Sequence, residues 1–106
     1  MSRYFATVPT CVVQQAFAGV DVMLPLESEL VTLFFGYDNP LAIYFFDVED
    51  IDGEAYHEFG YGGRGFVPGT RLTKGQMLEV VASIITEVAS DRLMAFQNAI
   101  ALDLPG

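Results

Sequence analysis

Positive charge, cysteine and histidine are scarce in this chain, and tryptophan is missing altogether. One cysteine, Cys11, leaves no partner for an intrachain disulfide, so the fold must rest on packing and not on covalent staples. With His57 as the one histidine, the nitrogen and sulfur ligands of an ordinary zinc site are also lacking, and no metal or other cofactor is expected. No stretch reaches the ~18 uninterrupted apolar residues of a membrane span. The opening residues MSRYFATVP carry no apolar segment followed by a small-residue cleavage site. No leader, no membrane association and a cytoplasmic location are therefore expected. Five Lys and Arg stand against 14 Asp and Glu, a net charge of -9. Such a chain repels phosphate backbones, so direct nucleic-acid binding is not expected, whereas a basic protein partner is.

What the chain has in quantity is apolar surface. Hydrophobic residues make up 52% of its 106 positions and aromatics 13%, far too apolar for a disordered segment and enough for one small core. A single domain over 1–106 is expected. The charges are unevenly placed: the bases are Arg3, Arg64, Arg71, Lys74 and Arg92, so residues 4–63 contain none of them while holding ten of the 14 acids. From Arg64 onward the charges balance.

Two textures meet at the glycine-rich stretch GYGGRGFVPG. Residues 1–61 read mostly as strands, 60–70 as a loop and 73–102 as helix. Short runs rich in Val, Phe, Tyr and Ile predict strands over 3–8, 11–17, 20–24, 30–35, 41–48 and 54–59, broken by Pro9, Ala18-Gly19, Pro25 and GYDNP. The second run has an alternative, a short helix capped by Thr10 and ended by Gly19. Beyond the glycines, Met77, Val81, Ile84, Ile85 and Val88 recur at helical spacing, and Thr73 with Gln76 fits a capping box. Carrying that face past Val88 would place Arg92 on it, so a break is expected, with Ser90 capping a second helix over 91–101. The expected fold is α+β: an antiparallel, meander-like sheet of about four to six strands, with one or two C-terminal helices packed on one face.

Asp52-Gly53 is a strong hairpin signal, because both positions of the tight turn require positive φ. Pairing the flanking strands across it sets Ile51 opposite Glu54, Glu49 opposite Tyr56, Asp47 opposite Glu58 and Phe45 opposite Gly60. Tyr44, Phe46, Val48, Ala55, His57, Phe59 and Tyr61 then share one face, which belongs in the core, with Asp50 near the turn set apart. The other face gathers Phe45, Asp47, Glu49, Ile51, Glu54, Tyr56 and Glu58. Opposed carboxylates ~5 Å apart repel by about 1 kcal/mol in water, so folding alone does not select this arrangement. These seven residues are the candidate partner-binding surface, the carboxylates meeting positive charge and Phe45, Ile51 and Tyr56 anchoring the contact. A solvated face that only keeps an apolar protein soluble is the plainer reading of the same residues.

Other patterns fail on context. Residues 47–58 have acids at three calcium-loop positions, but the glycine falls one place late, Ile51 takes a ligand position and no helices flank the segment. Gly60-Tyr61-Gly62-Gly63-Arg64-Gly65 matches a dinucleotide pattern without the helix that must follow, and one arginine does not make an RNA-binding RGG segment. Cys11 lies in an apolar run and His57 on the apolar face of the hairpin, and both are expected to be packed core residues instead of a nucleophile pair. Paired carboxylates could serve glycoside hydrolysis only in a deep cleft, which a domain this small seldom builds. No enzymatic activity is expected.

Apolar residues of both parities in Leu33-Phe34-Phe35 and in 41–46 suggest strands covered on both faces. Homo-oligomerisation through Phe34, Phe35 and Phe45 is therefore the rival expectation, that of a structural or assembly protein. The leading one is a small acidic inhibitor, of the kind made as a phage anti-defence or immunity-type protein, which covers a basic nucleic-acid-binding surface of its partner.

Leu33, Phe35, Pro40, Ala42 and Ile43, followed by Phe59-Gly60, resemble a strand region of the SsgA-like actinobacterial cell-division proteins over about thirty residues. The chain departs from that family in lacking its Trp, in having Tyr61 where an Arg follows, and in a tail that reads as helix where strands are implied. No site is carried over from the resemblance.

Overall fold

The computed structural model describes residues 2–51, 55–63 and 70–104. The elements run β1 (Ser2–Pro9), α1 (Thr10–Ala18), β2 (Leu30–Asp38), β3 (Ile43–Asp50), β4 (Tyr56–Gly62), β5 (Thr70–Arg71), α2 (Lys74–Glu87) and α3 (Asp91–Leu102). The five strands form one sheet in chain order. β1 to β4 are antiparallel and β5 adds to β4 in parallel. The α+β architecture, the meander and the two C-terminal helices agree with the sequence.

Strand alternation divides the sheet into two unlike faces. Val8, Val31, Leu33, Phe35, Tyr44, Phe46, Val48 and Phe59 point one way, into a core closed by the buried residues of all three helices. Phe17 of α1 packs against Phe59 with tilted rings whose centroids are 4.4 Å apart, and Phe96 of α3 meets Phe35 at 5.3 Å. The helices therefore lie together on one side, and no described helix covers the other.

The capping box forms as expected: Thr73 Oγ1 accepts from Gln76 N–H at 3.1 Å while the Gln76 side chain accepts from Thr73 N–H at 3.0 Å. Ser90 caps α3 by accepting from Leu93 N–H at 3.3 Å. The helix face buries Met77, Val80, Val81 and Ile84, with Ile85 and Val88 half-buried at its margin.

Several expectations are corrected. The run 11–17 is helix and not strand. Its buried residues, Thr10, Val13, Ala16 and Phe17, follow a 3.6-residue stripe that the adjacent Gln14 and Gln15 already betray by breaking alternation. Gly19 ends it, but Thr10 does not cap it; Pro9 holds the N-cap position and Thr10 Oγ1 donates to Ser28 carbonyl at 2.6 Å. Residues 20–24 form no strand, because they turn the chain back toward β2: Val20 and Val22 N–H both return to Phe17 carbonyl, at 3.1 and 3.0 Å. Cys11 is exposed instead of packed in the core. His57 is half-buried on the core face, its Nε2 buried and without a hydrogen-bond partner among the described residues. Phe35 is fully buried and so is unavailable to an oligomer contact. In the glycine stretch, Gly60 to Gly62 belong to β4, while 64–69 lie outside the described residues.

Asp50 differs most from expectation. It is 2% exposed, with its carboxylate accepting from Glu27 N–H at 3.0 Å and Ser28 N–H at 3.1 Å. A hydrogen bond from the Ser28 side chain first, and then these backbone N–H groups, hold its carboxyl below the usual carboxylate range. Together with the Thr10 hydroxyl, it ties the loop before β2 to the sheet. Nearness to a turn sets Asp50 apart from the core in the sequence, yet it is the polar group that closes that end.

Candidate functional site

The site begins with register. β3 and β4 pair with Glu49 opposite Tyr56, Asp47 opposite Glu58 and Phe45 opposite Gly60, as the Asp-Gly turn implies. The turn itself, Glu54 and its pairing with Ile51 lie outside the described residues. Adding β2 and β1 gives three rows across the uncovered face. One runs Phe5, Phe34, Asp47, Glu58; the next runs Thr7, Thr32, Glu49, Tyr56; the third runs Arg3, Gly36, Phe45, Gly60.

These rows separate chemistry by strand. The β1–β2 side carries Phe5, 71% exposed, beside half-buried Phe34, their ring centroids 6.5 Å apart. The β3–β4 side carries Asp47, Glu49 and Glu58 with Phe45 and Tyr56. The sheet thus places three of the four expected carboxylates on one surface, together with the expected Phe45 and Tyr56. Ile51 is exposed just past the end of β3, at the margin of the group.

Of the acids on this face, Asp47 and Glu58 are half-buried and Glu49 is exposed. Tyr56 hydroxyl donates to its Oδ2 at 3.0 Å. Burial pushes the Asp47 carboxyl up to about 6, Glu58 adds to the rise, and the Tyr56 bond and Arg3 offset part of it. Tyr56 is in turn raised to about 12, by burial first and then by the carboxylate it serves. Between the strands these side chains line a shallow pocket of about 230 Å³, shared with Arg3, Asp38 and Leu41.

Asp38 and Arg3 were missed by the sequence reading. Asp38 reaches the face only because the 39–42 turn sets β2 against β3 with Asp38 opposite Ile43. That turn depends on a left-handed Ala42, φ 53°, a conformation no residue preference announces. Arg3 folds over Phe34, 4.9 Å from the ring centroid, and so draws the edge strand into the same surface. A Cβ at Gly60 would meet the tip of the Ile43 side chain, which would have to swing aside to admit it.

No protein-family model matches the chain, and no curated protein or solved structure is recognisably similar to it. The site therefore rests on its own geometry. Among the described residues no cluster of three His, Cys, Asp or Glu side chains could hold a metal ion. Likewise no described helix is long and apolar enough to cross a membrane. What the arrangement offers chemically is a sheet face with acceptors on one side and aromatic rings on the other.

Proposed function

We propose that this protein works by covering a basic surface of another protein with the open face of its sheet, as an inhibitor does when it occupies a nucleic-acid-binding site. The observation that supports this reading is the row Phe5, Phe34, Asp47, Glu58, which joins exposed aromatic surface to directly opposed carboxylates on the face that no described helix covers. Like charges set opposite each other cost the fold free energy, and a partner bearing Arg and Lys would relieve that cost on binding. The aromatic side supplies apolar contact, so the charges need supply only orientation and encounter rate. Phage anti-defence and immunity-type inhibitors are settings in which such a surface is useful.

The test is capture of partners at low and moderate salt by wild type and by a combined Asp47→Asn, Glu49→Gln, Glu54→Gln and Glu58→Gln variant. The expected result is a basic partner that the variant loses, that salt releases and that DNA or RNA displaces. Identical partners for both proteins would overturn the reading. Recovery of only further copies of this chain would instead favour assembly through Phe5, Phe34 and Phe45.

A further inference from the structure

A second concave site lies on the opposite, helix-covered side of the sheet, where α3 crosses the ends of β1, β2 and β3. It is a pocket of about 550 Å³, within the range of small-molecule sites. Its lining has two distinct parts. The interior is aromatic, formed by Tyr4, Tyr37, Tyr44 and Phe96. The polar residues are Asp91 and Arg92, adjacent in the first turn of α3.

Packing alone does not explain why this space is open. Ala95 and Ala99, one helical turn apart on α3, face the rings, and Gly36 forms the third small wall. A larger aliphatic side chain at half-buried Ala99 would fill the gap and gain burial free energy, and one at exposed Ala95 could reach over it from the helix surface. The rings themselves are held in place. Tyr44 hydroxyl donates to Ala99 carbonyl at 3.3 Å, and Tyr37 meets Tyr44 edge-on with centroids 4.8 Å apart.

Arg92 is held as well. Its guanidinium lies over the Tyr4 ring at 4.4 Å, which occupies one face of the group and leaves its in-plane N–H donors available. In a chain of net charge -9 it nevertheless forms no ion pair among the described residues, where the one such pair is Lys74–Asp103. A carboxylate is the ligand group that those donors fit. Asp91 beside it fits an ammonium and would disfavour a purely anionic ligand.

We infer that this pocket binds a free aromatic amino acid, with the ring among Tyr37, Tyr44 and Phe96, the α-carboxylate on Arg92 and the α-ammonium on Asp91. An aliphatic acid would leave the ring surfaces unmatched, and an aromatic acid or amine alone would leave one charge of the pair unanswered. This site and the acidic face lie on opposite sides of the sheet, so neither depends on the other.

Calorimetric and amide-NMR titration with four probes tests the inference: L-phenylalanine, 3-phenylpropanoate, 2-phenylethylamine and L-alanine. L-Phenylalanine is expected to bind saturably and shift the amides of Gly36, Ala95 and Phe96. Each half-charged analogue should bind about tenfold more weakly, the scale of one charge-assisted hydrogen bond, and L-alanine should not bind. Arg92→Gln should reduce L-phenylalanine to the level of 2-phenylethylamine, and Asp91→Asn to that of 3-phenylpropanoate. Ala95→Leu, at an exposed helix position that tolerates leucine, should close the pocket while circular dichroism stays unchanged. Binding unaltered by Ala95→Leu, an analogue that equals L-phenylalanine, or no binding at millimolar probe would each overturn it.

Discussion

Two aspartates three residues apart on β3 show how differently the fold treats one functional group. Asp50 accepts two backbone hydrogen bonds and its carboxyl is held low, whereas Asp47 lies among rings and a second carboxylate and is held high, at about 6. Their effects on stability therefore oppose each other. For Asp47 the folded protein binds the proton more tightly than the unfolded chain, so stability is lost as pH rises from the unfolded value near 4 through about 6. Asp47→Asn keeps an acceptor for Tyr56 and removes the charge. It should stabilise the protein at pH 7 by on the order of 1 kcal/mol, after allowance for solvent screening, and change nothing near pH 4. Urea unfolding at the two pH values measures this. For Asp50 the sign is reversed: its contribution is present above the unfolded value and is lost as pH falls through the lower folded one. Asp50→Ala should lower Tm at pH 7 by several degrees because Glu27 and Ser28 N–H lose their acceptor, with the deficit shrinking toward the acid limit.

At the scale of elements, two helix starts carry the clearest local chemistry. Thr73 and Ser90 each accept a backbone N–H that the first turn would otherwise leave unpaired. Thr73→Ala and Ser90→Ala should each cost about 1 kcal/mol. The two caps are separated by the length of α2, about 20 Å, so the double mutant should show the sum to within about 0.5 kcal/mol. Chemical denaturation with unchanged slope checks both statements. These caps were legible in the sequence because a cap is a contract between neighbours in the chain. The β3–β4 register was legible for the same reason, since Asp52-Gly53 dictates which residues face each other across it. Asp38 and Arg3 joined the site through β1–β2–β3 pairing, which loops of unfixed geometry decide, and no local signal encodes it. Thr70–Arg71 is two residues long and becomes a strand only because β4 is beside it, with Leu72 N–H reaching Gly60 carbonyl at 2.8 Å. The sequence leaves α1 open between strand and helix for a different reason. Cys11, Val12 and Val13 suit a strand locally, and it is the tertiary burial of Val13, Ala16 and Phe17 together that selects the helix.

On the scale of the whole molecule, solubility sets charge against uncovered apolar surface. Phe5 and Phe34 sit on an open sheet face, and the charge repulsion from its acidic side and the net charge of -9 is expected to oppose association of copies at neutral pH. Near the pI of about 4.1 that repulsion vanishes while the rings stay exposed. Light scattering across pH should then show monomers at pH 7 and reversible self-association between about pH 4 and 5, where net charge no longer opposes apolar contact. Phe5→Ser should suppress it, because that substitution removes the most exposed ring on the face without touching the core. The Asp47→Asn, Glu49→Gln, Glu54→Gln and Glu58→Gln variant should shift the onset upward in pH by reaching charge neutrality earlier. A stable oligomer already at pH 7, unaffected by salt and lost in Phe5→Ser, would mean that the open face belongs to a second copy, and the carboxylates would then mark the rim of a homo-oligomeric contact instead of a docking site for a basic partner.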